Sequence, residues 1–180
     1  MGLPPPFWAF AWAGGQALAR WLLDHAETVR GRRVVDFASG SGLVGIAAMK
    51  AGAAHVLCAD IDPFCGAAAR MNAAANGVAL DFTPDDLLDA PPPEADVICA
   101  GDVFYEKPMA ERVLAWLTAA RARGATVLVG DPGRSYFPKS GLSLLAEYGV
   151  PTTRELEDQE IKRTRVWALW DQDPRPDFDP

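Results

Sequence analysis

Short apolar runs alternate with alanine-rich stretches along the chain from residue 33 onward. The runs have the length and composition of buried strands, and the stretches between them have helical spacing. This pattern predicts strands at Arg33–Phe37, Ala54–Ala59, Ala79–Thr83, Ala95–Ala100 and Ala125–Gly130. It predicts helices at Gly14–Arg30, Leu43–Ala51, Pro63–Asn76 and Met109–Arg123. Strands that are apolar throughout and separated by helices indicate an α/β protein with a parallel sheet covered on both faces.

The C-terminal part of the chain follows a different pattern. Tyr136–Tyr148 has helical spacing, and Val150–Leu156 and Thr164–Trp170 then have the pattern of two strands with no helix between them. Two strands connected in this way pair antiparallel as a hairpin. The fold prediction is therefore a Rossmann-like doubly wound sheet of five parallel strands plus a C-terminal antiparallel hairpin. We expect one domain over residues 1–180, with an aromatic segment and helix at 1–32 and a flexible tail at 171–180.

Composition narrows the range of partners. The chain carries 17 Lys and Arg against 24 Asp and Glu, a net charge of −7 at pH 7, which argues against a general nucleic-acid binder. Its three cysteines form no CxxC pair, and with two histidines they have no zinc-ligand spacing. We therefore expect buried thiols in a reducing compartment and no metal. No secretory signal and no apolar stretch of membrane-spanning length is visible, which predicts a cytoplasmic protein, if bacterial, without membrane attachment.

A glycine-rich loop lies between the first strand and the helix that follows it. The chain spells GxGxxG from Gly40, and Gly40 and Gly42 allow the backbone to approach a ligand closely. Asp60 ends the second strand, where its carboxylate can accept hydrogen bonds from ribose hydroxyls. Ile61 could cover one face of an adenine ring, and Asp86 could accept from the adenine amino group. These features suit a nicotinamide dinucleotide and S-adenosylmethionine (SAM) equally well.

Asp36 distinguishes between these two cofactors. It lies near the end of the first strand, four residues before Gly40, and we expect its side chain to point to the same crevice. A carboxylate there would repel a pyrophosphate, whereas it would stabilise the ammonium and the sulfonium of SAM. The residues therefore favour SAM. A single such carboxylate could be only a helix cap or a turn residue, but Asp36, Asp60 and Asp102 all lie at carboxyl ends of strands, where an open α/β sheet binds ligands.

The glycine loop resembles motif I of the class I, seven-β-strand methyltransferases. The match runs from Val34 to Gly42, and Ala38 stands where that pattern usually has glycine, a change that we expect to be mild. The resemblance implies the seven-stranded methyltransferase fold, with SAM as the methyl donor and S-adenosylhomocysteine (SAH) as the product. It also implies that Ala38, Gly40 and Gly42 belong to the loop that binds the cofactor.

Further segments are similar to the electron transfer flavoprotein β-subunit lysine methyltransferases. These segments are Pro4–Trp12 with Gly14–Gln16, the Asp-x-x-Tyr signature at Asp102–Tyr105, and Gly130–Arg134. The resemblance covers the chain from about Leu3 to Trp170 and implies methylation of lysines on the flavoprotein's β-subunit. Methylation of another protein, such as a ribosomal protein, or of a small-molecule amine is the alternative. The ribosomal-protein enzymes carry an extra N-terminal domain, for which 180 residues leave no room.

The chemistry of methyl transfer to an amine suggests roles for the remaining candidates. The amine must be neutral, and a carboxylate favours the ammonium, so we interpret Asp102 as a residue that orients the amine and not as a base. The alternative is that Asp102 only caps a helix that begins near Tyr105. Tyr105 could shape the lysine channel or hydrogen-bond the amine. We expect Trp12 to face the ligand, whereas Trp8 fits core packing and a ligand-side role equally well. Arg134 could contact the substrate, but a surface ion pair is the favoured interpretation.

Overall fold

A seven-stranded sheet runs through the protein, seen in a computed structural model that describes residues 6–154 and 159–170. Its strands are β1 (Arg33–Phe37), β2 (His55–Ala59), β3 (Asp81–Thr83), β4 (Val97–Gly101), β5 (Thr126–Asp131), β6 (Leu142–Pro151) and β7 (Ile161–Leu169). The α-helices are α1 (Ala13–Asp24), α2 (Leu43–Lys50), α3 (Cys65–Ala75) and α4 (Lys107–Ala122). Single 3₁₀ turns lie at Phe7–Ala9, Ala26–Thr28 and Leu87–Asp89.

The order of the strands confirms the predicted architecture. Across the sheet the order is β3-β2-β1-β4-β5-β7-β6. The pairs among β1 to β5 are parallel, and β7 pairs antiparallel with both β5 and β6. The five parallel strands and the closing hairpin are therefore as the hydrophobic pattern predicts. The predicted tail at 171–180, the start of the aromatic segment at 1–5 and the end of the predicted strand at 155–156 lie outside the described residues.

The predicted helix over Tyr136–Tyr148 is wrong. This segment is a loop that continues into β6 from Leu142, so β6 also begins well before the predicted Val150. Two residues interrupt the helical pattern: Pro138, which lacks a backbone N–H, and Gly141, which has a φ of +82°. Beyond them, pairing with the edge of β7 supplies backbone hydrogen bonds along β6, apart from a bulge between Leu144 and Ala146, and this tertiary pairing outweighs the local helix preference.

Both faces of the sheet are covered by apolar side chains. Helices α1 and α2 pack on one face, and α4 packs on the other. In the absence of a helix between β5 and β6, aromatic side chains extend the α4 face: Phe137 lies 5.6 Å from Phe104 and 5.3 Å from Trp167 between ring centres. The three cysteines are buried and unbridged, as predicted. Across residues 6–154 and 159–170, no helix has the length and apolarity needed to cross a membrane.

Helix α1 is shorter than predicted and begins in direct contact with the sheet. It ends at Asp24 rather than Arg30, and a 3₁₀ turn follows. At its start, a Cβ atom on Gly14 would overlap the carbonyl oxygen of Gly130 on β5. A Cβ atom on Gly101 of β4 would lie 2.9 Å from the backbone nitrogen of Gly15. Glycine at these positions therefore allows the first turn of α1 to lie against the carboxyl ends of β4 and β5.

Candidate active site

The loop between β1 and α2 has the backbone conformation of a ligand-binding turn. Ala38, Gly40 and Gly42 have positive φ angles of 53°, 51° and 83°. The N–H of Ser39 donates to the carbonyl of Ala59 at 3.1 Å, which ties the loop to the end of β2. The loop leads into the N-terminus of α2, where backbone N–H groups favour an anionic group such as a carboxylate. Ala38 adopts a left-handed conformation that strains a residue with a side chain by about 1 kcal/mol, a cost that glycine would avoid.

Asp36 lies beneath this loop and is almost closed off from the crevice. It is 2% exposed, and its Oδ2 atom accepts the N–H of Gly45 in α2 at 2.8 Å. Burial raises the pKa of Asp36 to about 7; the Gly45 N–H opposes this shift and the carboxylate of Asp60 adds to it. The side chain that was expected to point to the crevice is therefore buried beneath the loop. Asp36 fastens the first turn of α2 to β1, and its contact with a cofactor stays a prediction.

Asp60 closes the loop from the side of β2. Its Oδ2 atom accepts the N–H of Gly40 at 2.9 Å, and its Oδ1 atom accepts the N–H of Asp62 at 3.0 Å. The side chain is only partly buried, and each carboxylate oxygen can accept more than one hydrogen bond. Next to it, Ile61 is 70% exposed. An apolar surface beside a carboxylate suits a purine nucleoside, so the geometry is compatible with the roles predicted for Asp60 and Ile61.

Asp86 has a structural role that the sequence pattern did not predict. It caps the 3₁₀ turn at Leu87–Asp89, where its Oδ1 atom accepts the N–H of Leu88 at 3.0 Å. Its Oδ2 atom lies 3.5 Å from an Nη atom of Arg112 in α4. The residue is partly exposed, so a contact with the adenine amino group stays a prediction.

Asp102 and Arg134 form an ion pair where β4 and β5 end. The Oδ1 atom of Asp102 accepts from Nε of Arg134 at 3.0 Å and from Nη2 at 2.5 Å. Its Oδ2 atom accepts the N–H of Gly15 at 3.1 Å, so the carboxylate caps the first turn of α1. The alternative that Asp102 caps the following helix is wrong, because α4 begins only at Lys107 and has no side-chain cap.

Arg134 is held from several sides. Its backbone N–H donates to Oδ1 of Asp131 at 2.7 Å, and the N–H of Gly133 donates to the same oxygen at 2.6 Å. Its guanidinium carbon lies 5.6 Å from the centre of the Trp12 ring, a cation–π distance. The indole N–H of Trp12 donates in turn to the carbonyl of Phe7 at 2.8 Å. Because only 19% of the Arg134 side chain is exposed, the surface ion pair considered from sequence is a largely buried one.

Aromatic side chains surround the opening of the crevice. Trp8 stacks on Phe64 with ring centres 5.9 Å apart, and its Cα lies 3.6 Å from the position of a Cβ on Gly40. The N-terminal segment therefore passes over the glycine loop. Tyr105 is 55% exposed, and partial burial together with nearby carboxylates, Asp60 among them, raises the pKa of its hydroxyl. Tyr105 therefore stays protonated and can donate a hydrogen bond.

The structure brings the predicted residues to one edge of the sheet in two neighbouring groups. The glycine loop, Asp60 and Ile61 form the first group, and Trp12, Asp102 and Arg134 form the second. Sequence reasoning did not assign a role to Asp131, although Asp-Pro-Gly is a strong turn signal that could have identified it as the residue that shapes this loop. The stacking partner of Trp8 was also missed, because no sequence pattern relates residues so far apart.

Comparisons with known proteins identify the fold and the family. A family model described as ribosomal protein L11 methyltransferase (PrmA) matches residues 18–103. Among solved structures, magnesium protoporphyrin IX methyltransferase from Synechocystis PCC 6803 with bound SAM superposes with a TM-score of 0.61 at 22% identity. The superposition covers 87% of this chain and 78% of that one, which shows the shared fold. Fold and site together define a class I SAM-dependent methyltransferase.

Curated relatives narrow the assignment within this class. The chain is 39% identical over 170 residues to the electron transfer flavoprotein β-subunit lysine methyltransferase of Xenopus laevis, covering 91% of this chain and 69% of the relative. It is 38% identical over 170 residues to the enzyme of the same name from Rattus norvegicus, covering 90% and 66%. The chain belongs to the electron transfer flavoprotein β-subunit lysine methyltransferase family. It spans about two thirds of the length of these relatives.

Proposed function

We propose that this protein transfers methyl groups from SAM to lysine side chains of the electron transfer flavoprotein β-subunit. The observation that carries the proposal is the adjacency of two groups of residues at the carboxyl ends of the parallel strands. A loop and carboxylate that fit a nucleoside lie beside the buried Asp102–Arg134 pair, with Trp12 above it. The substrate named here is the one in the names of the family members described above.

The residues of the first group fit SAM. Asp60 has free acceptor capacity for the ribose hydroxyls, and Ile61 offers an apolar surface to the adenine. Asp86, outside this group, is partly exposed. Gly40 and Gly42, with Ala38 before them, form the turn that lets a ligand reach the backbone of the loop. When bound, SAM supplies a methyl group activated by its sulfonium. Asp36 supports this site from below by holding α2 in place.

The second group fits the recognition of a lysine side chain on a protein. Tyr105 is 55% exposed, and Phe10, beside Trp12, is 37% exposed. Exposed aromatic side chains around an opening suit contact with the surface of a folded partner better than enclosure of a small amine. Tyr105 can donate a hydrogen bond toward the amine, and Asp102 contributes a fixed carboxylate.

The proposal is tested by incubating the purified protein with methyl-labelled SAM and three acceptors: the flavoprotein, ribosomal protein L11 and free lysine. We expect label on the β-subunit of the flavoprotein alone, and peptide mass spectrometry then gives the lysines and the number of methyl groups. A parallel incubation with the Asp60→Ala variant controls for methylation that does not depend on the cofactor loop. Label on L11 or on free lysine, with none on the flavoprotein, would replace this proposal with the corresponding alternative.

We infer further that residues 1–180 act as a single catalytic domain and that the protein, if it is bacterial, works in the cytoplasm. One sheet unites the described residues, and three buried, unbridged cysteines are compatible with a reducing compartment. Limited proteolysis tests the domain organisation, because a single domain leaves one resistant core. Fractionation of the source cells tests the location.

A further inference from the structure

The Asp102 carboxylate poses an electrostatic problem for lysine methylation. A lysine with an ordinary pKa of about 10.4 is mostly protonated near neutral pH, and only the neutral amine can attack a methyl group. A carboxylate beside the amine stabilises the ammonium and raises its pKa, which lowers the reactive fraction further. A site that places an unpaired carboxylate beside its nucleophile would therefore work against its own reaction.

The carboxylate of Asp102 is not left as an isolated negative charge in this structure. Both of its carboxylate oxygens are engaged, one by the Arg134 guanidinium and the other by the N–H of Gly15. The pair is largely buried, so solvent screens the attraction between the two charges only weakly. The guanidinium is itself fixed, because the backbone of Arg134 is held by Asp131 and its side chain lies on the Trp12 ring.

We propose that Arg134 is a positioning residue that cancels the charge of Asp102, so that the substrate lysine enters the site as the neutral amine. The inference rests on the proposed lysine methylation and explains how a carboxylate and that reaction coexist. The lysine ammonium loses one proton to water as it enters the site, and the neutral amine keeps its lone pair. That pair forms the new carbon–nitrogen bond while the bond from the methyl carbon to the sulfonium sulfur breaks, and the electron pair of the broken bond stays on the sulfur of SAH.

No other charged group described around the pair is placed to neutralise Asp102 in place of Arg134. Burial raises the pKa of Asp131 to about 6, so at the pH of an assay near 8 this residue is a second carboxylate at the same edge. Arg163 and Arg165 line a cavity of about 160 Å³ together with Asp131, but both form ion pairs with Glu147 on β6. Arg134 is thus the guanidinium that the structure places directly on Asp102.

The test measures the pH dependence of kcat for lysine methylation at saturating substrate, which reports the pKa of the bound lysine, in wild type, Arg134→Gln, Arg134→Lys and the control Arg163→Gln. Loss of the guanidinium should move the pH midpoint of Arg134→Gln upward by about one unit, with about a tenfold loss near pH 7.5 that recovers toward pH 10. Arg134→Lys and Arg163→Gln should keep the wild-type midpoint. A loss for Arg134→Gln that is equal at every pH would overturn the proposal, because a purely structural defect acts in that way.

A binding measurement provides a second test that does not need methyl transfer. With Arg134→Gln, an unpaired Asp102 should bind butylammonium at least tenfold more tightly than wild type does, by calorimetry at pH 7.5. Melting temperature and SAH affinity of the same variant report whether it is folded. Equal butylammonium affinity in a folded variant would overturn the charge-cancelling role. If the wild type fails to methylate the flavoprotein, the proposed substrate is wrong. The butylammonium comparison still tests whether Arg134 cancels the charge of Asp102, because it does not depend on methyl transfer.

Discussion

Gly14 and Gly15 are neighbours in the first turn of α1, yet their surroundings differ sharply. A Cβ atom on Gly14 would overlap the carbonyl oxygen of Gly130 and lie 2.5 Å from Oδ2 of Asp102. The nearest atom to a Cβ on Gly15 is a methyl carbon of Val44 at 3.8 Å, an ordinary contact. Alanine substitutions at these two positions therefore form a matched pair that differs mainly in the approach of α1 to the sheet.

The magnitude of the difference follows from these distances. Gly14→Ala meets a backbone atom that no change of rotamer can move, so the helix must shift away from β5 by roughly 1 Å. Such overpacking costs about 1–3 kcal/mol, and a weaker bond from the Gly15 N–H to Asp102 adds about 1 kcal/mol. The better helix preference of alanine returns about 1 kcal/mol. We expect the free energy of unfolding to fall by about 1–3 kcal/mol for Gly14→Ala and to rise by up to about 1 kcal/mol for Gly15→Ala.

Urea unfolding followed by tryptophan fluorescence measures both values, and calorimetry with SAH reports on the cofactor side of the site. Gly14→Ala should also lower methyl transfer more than SAH affinity, because the shift displaces Asp102 and not the glycine loop. Equal unfolding midpoints for the two variants would refute the reasoning, since the contact between α1 and β5 could then not be as close as described.

Three further predictions concern the cofactor loop. Asp60→Ala should weaken SAH binding by about 1.5–3 kcal/mol through the loss of its ribose contacts, and unchanged affinity of a folded variant by calorimetry would contradict this. Ala38→Gly should raise the free energy of unfolding by about 0.5–1 kcal/mol because it relieves a left-handed conformation, whereas a lower urea midpoint would show that the loop is not strained. The pKa of Asp36 is about 7 when folded and near 3.8 when unfolded, so the folded state keeps a proton that the unfolded state has released. The free energy of unfolding should therefore fall as pH rises from about 4 to 7, and Asp36→Asn should flatten this part of the urea-unfolding pH profile.

Much of the site could be read from the sequence because its parts are local. Gly40 and Gly42 follow a strand and open a helix within a few residues, and Asp60 ends the next strand, so spacing along the chain places them together. Asp36 shows the limit of this reasoning. Its position near the end of β1 was predicted, but the direction of its side chain depends on Gly45, whose missing side chain lets α2 approach Asp36 closely.

The roles of Asp102 and Arg134 depended on contacts between distant segments. The two residues are 32 positions apart, and the Gly15 N–H that completes the arrangement comes from the other end of the chain. The chemistry implied by the resemblance suggested an amine-orienting carboxylate at Asp102, and Arg134 was interpreted separately. The close packing of α1 on β4 and β5 brings the Gly15 N–H, Asp102 and Arg134 together. As a result, the carboxylate of Asp102 forms a buried ion pair.

Runs of apolar residues and turn signals along the chain were enough to predict the five parallel strands and the glycine loop, because these signals are local. The family was predicted from a resemblance of short motifs, which the curated relatives confirm. Tertiary structure alone decided that Leu142–Pro151 is a strand and that Asp102 is paired with Arg134. The reason is the same in both cases. In each case, a group on a distant segment satisfies a hydrogen bond or a charge that local sequence leaves open. Leu142–Pro151 becomes a strand because it pairs with the edge of β7, and Arg134 is fixed because it pairs with the carboxylate of Asp102 at the end of β4.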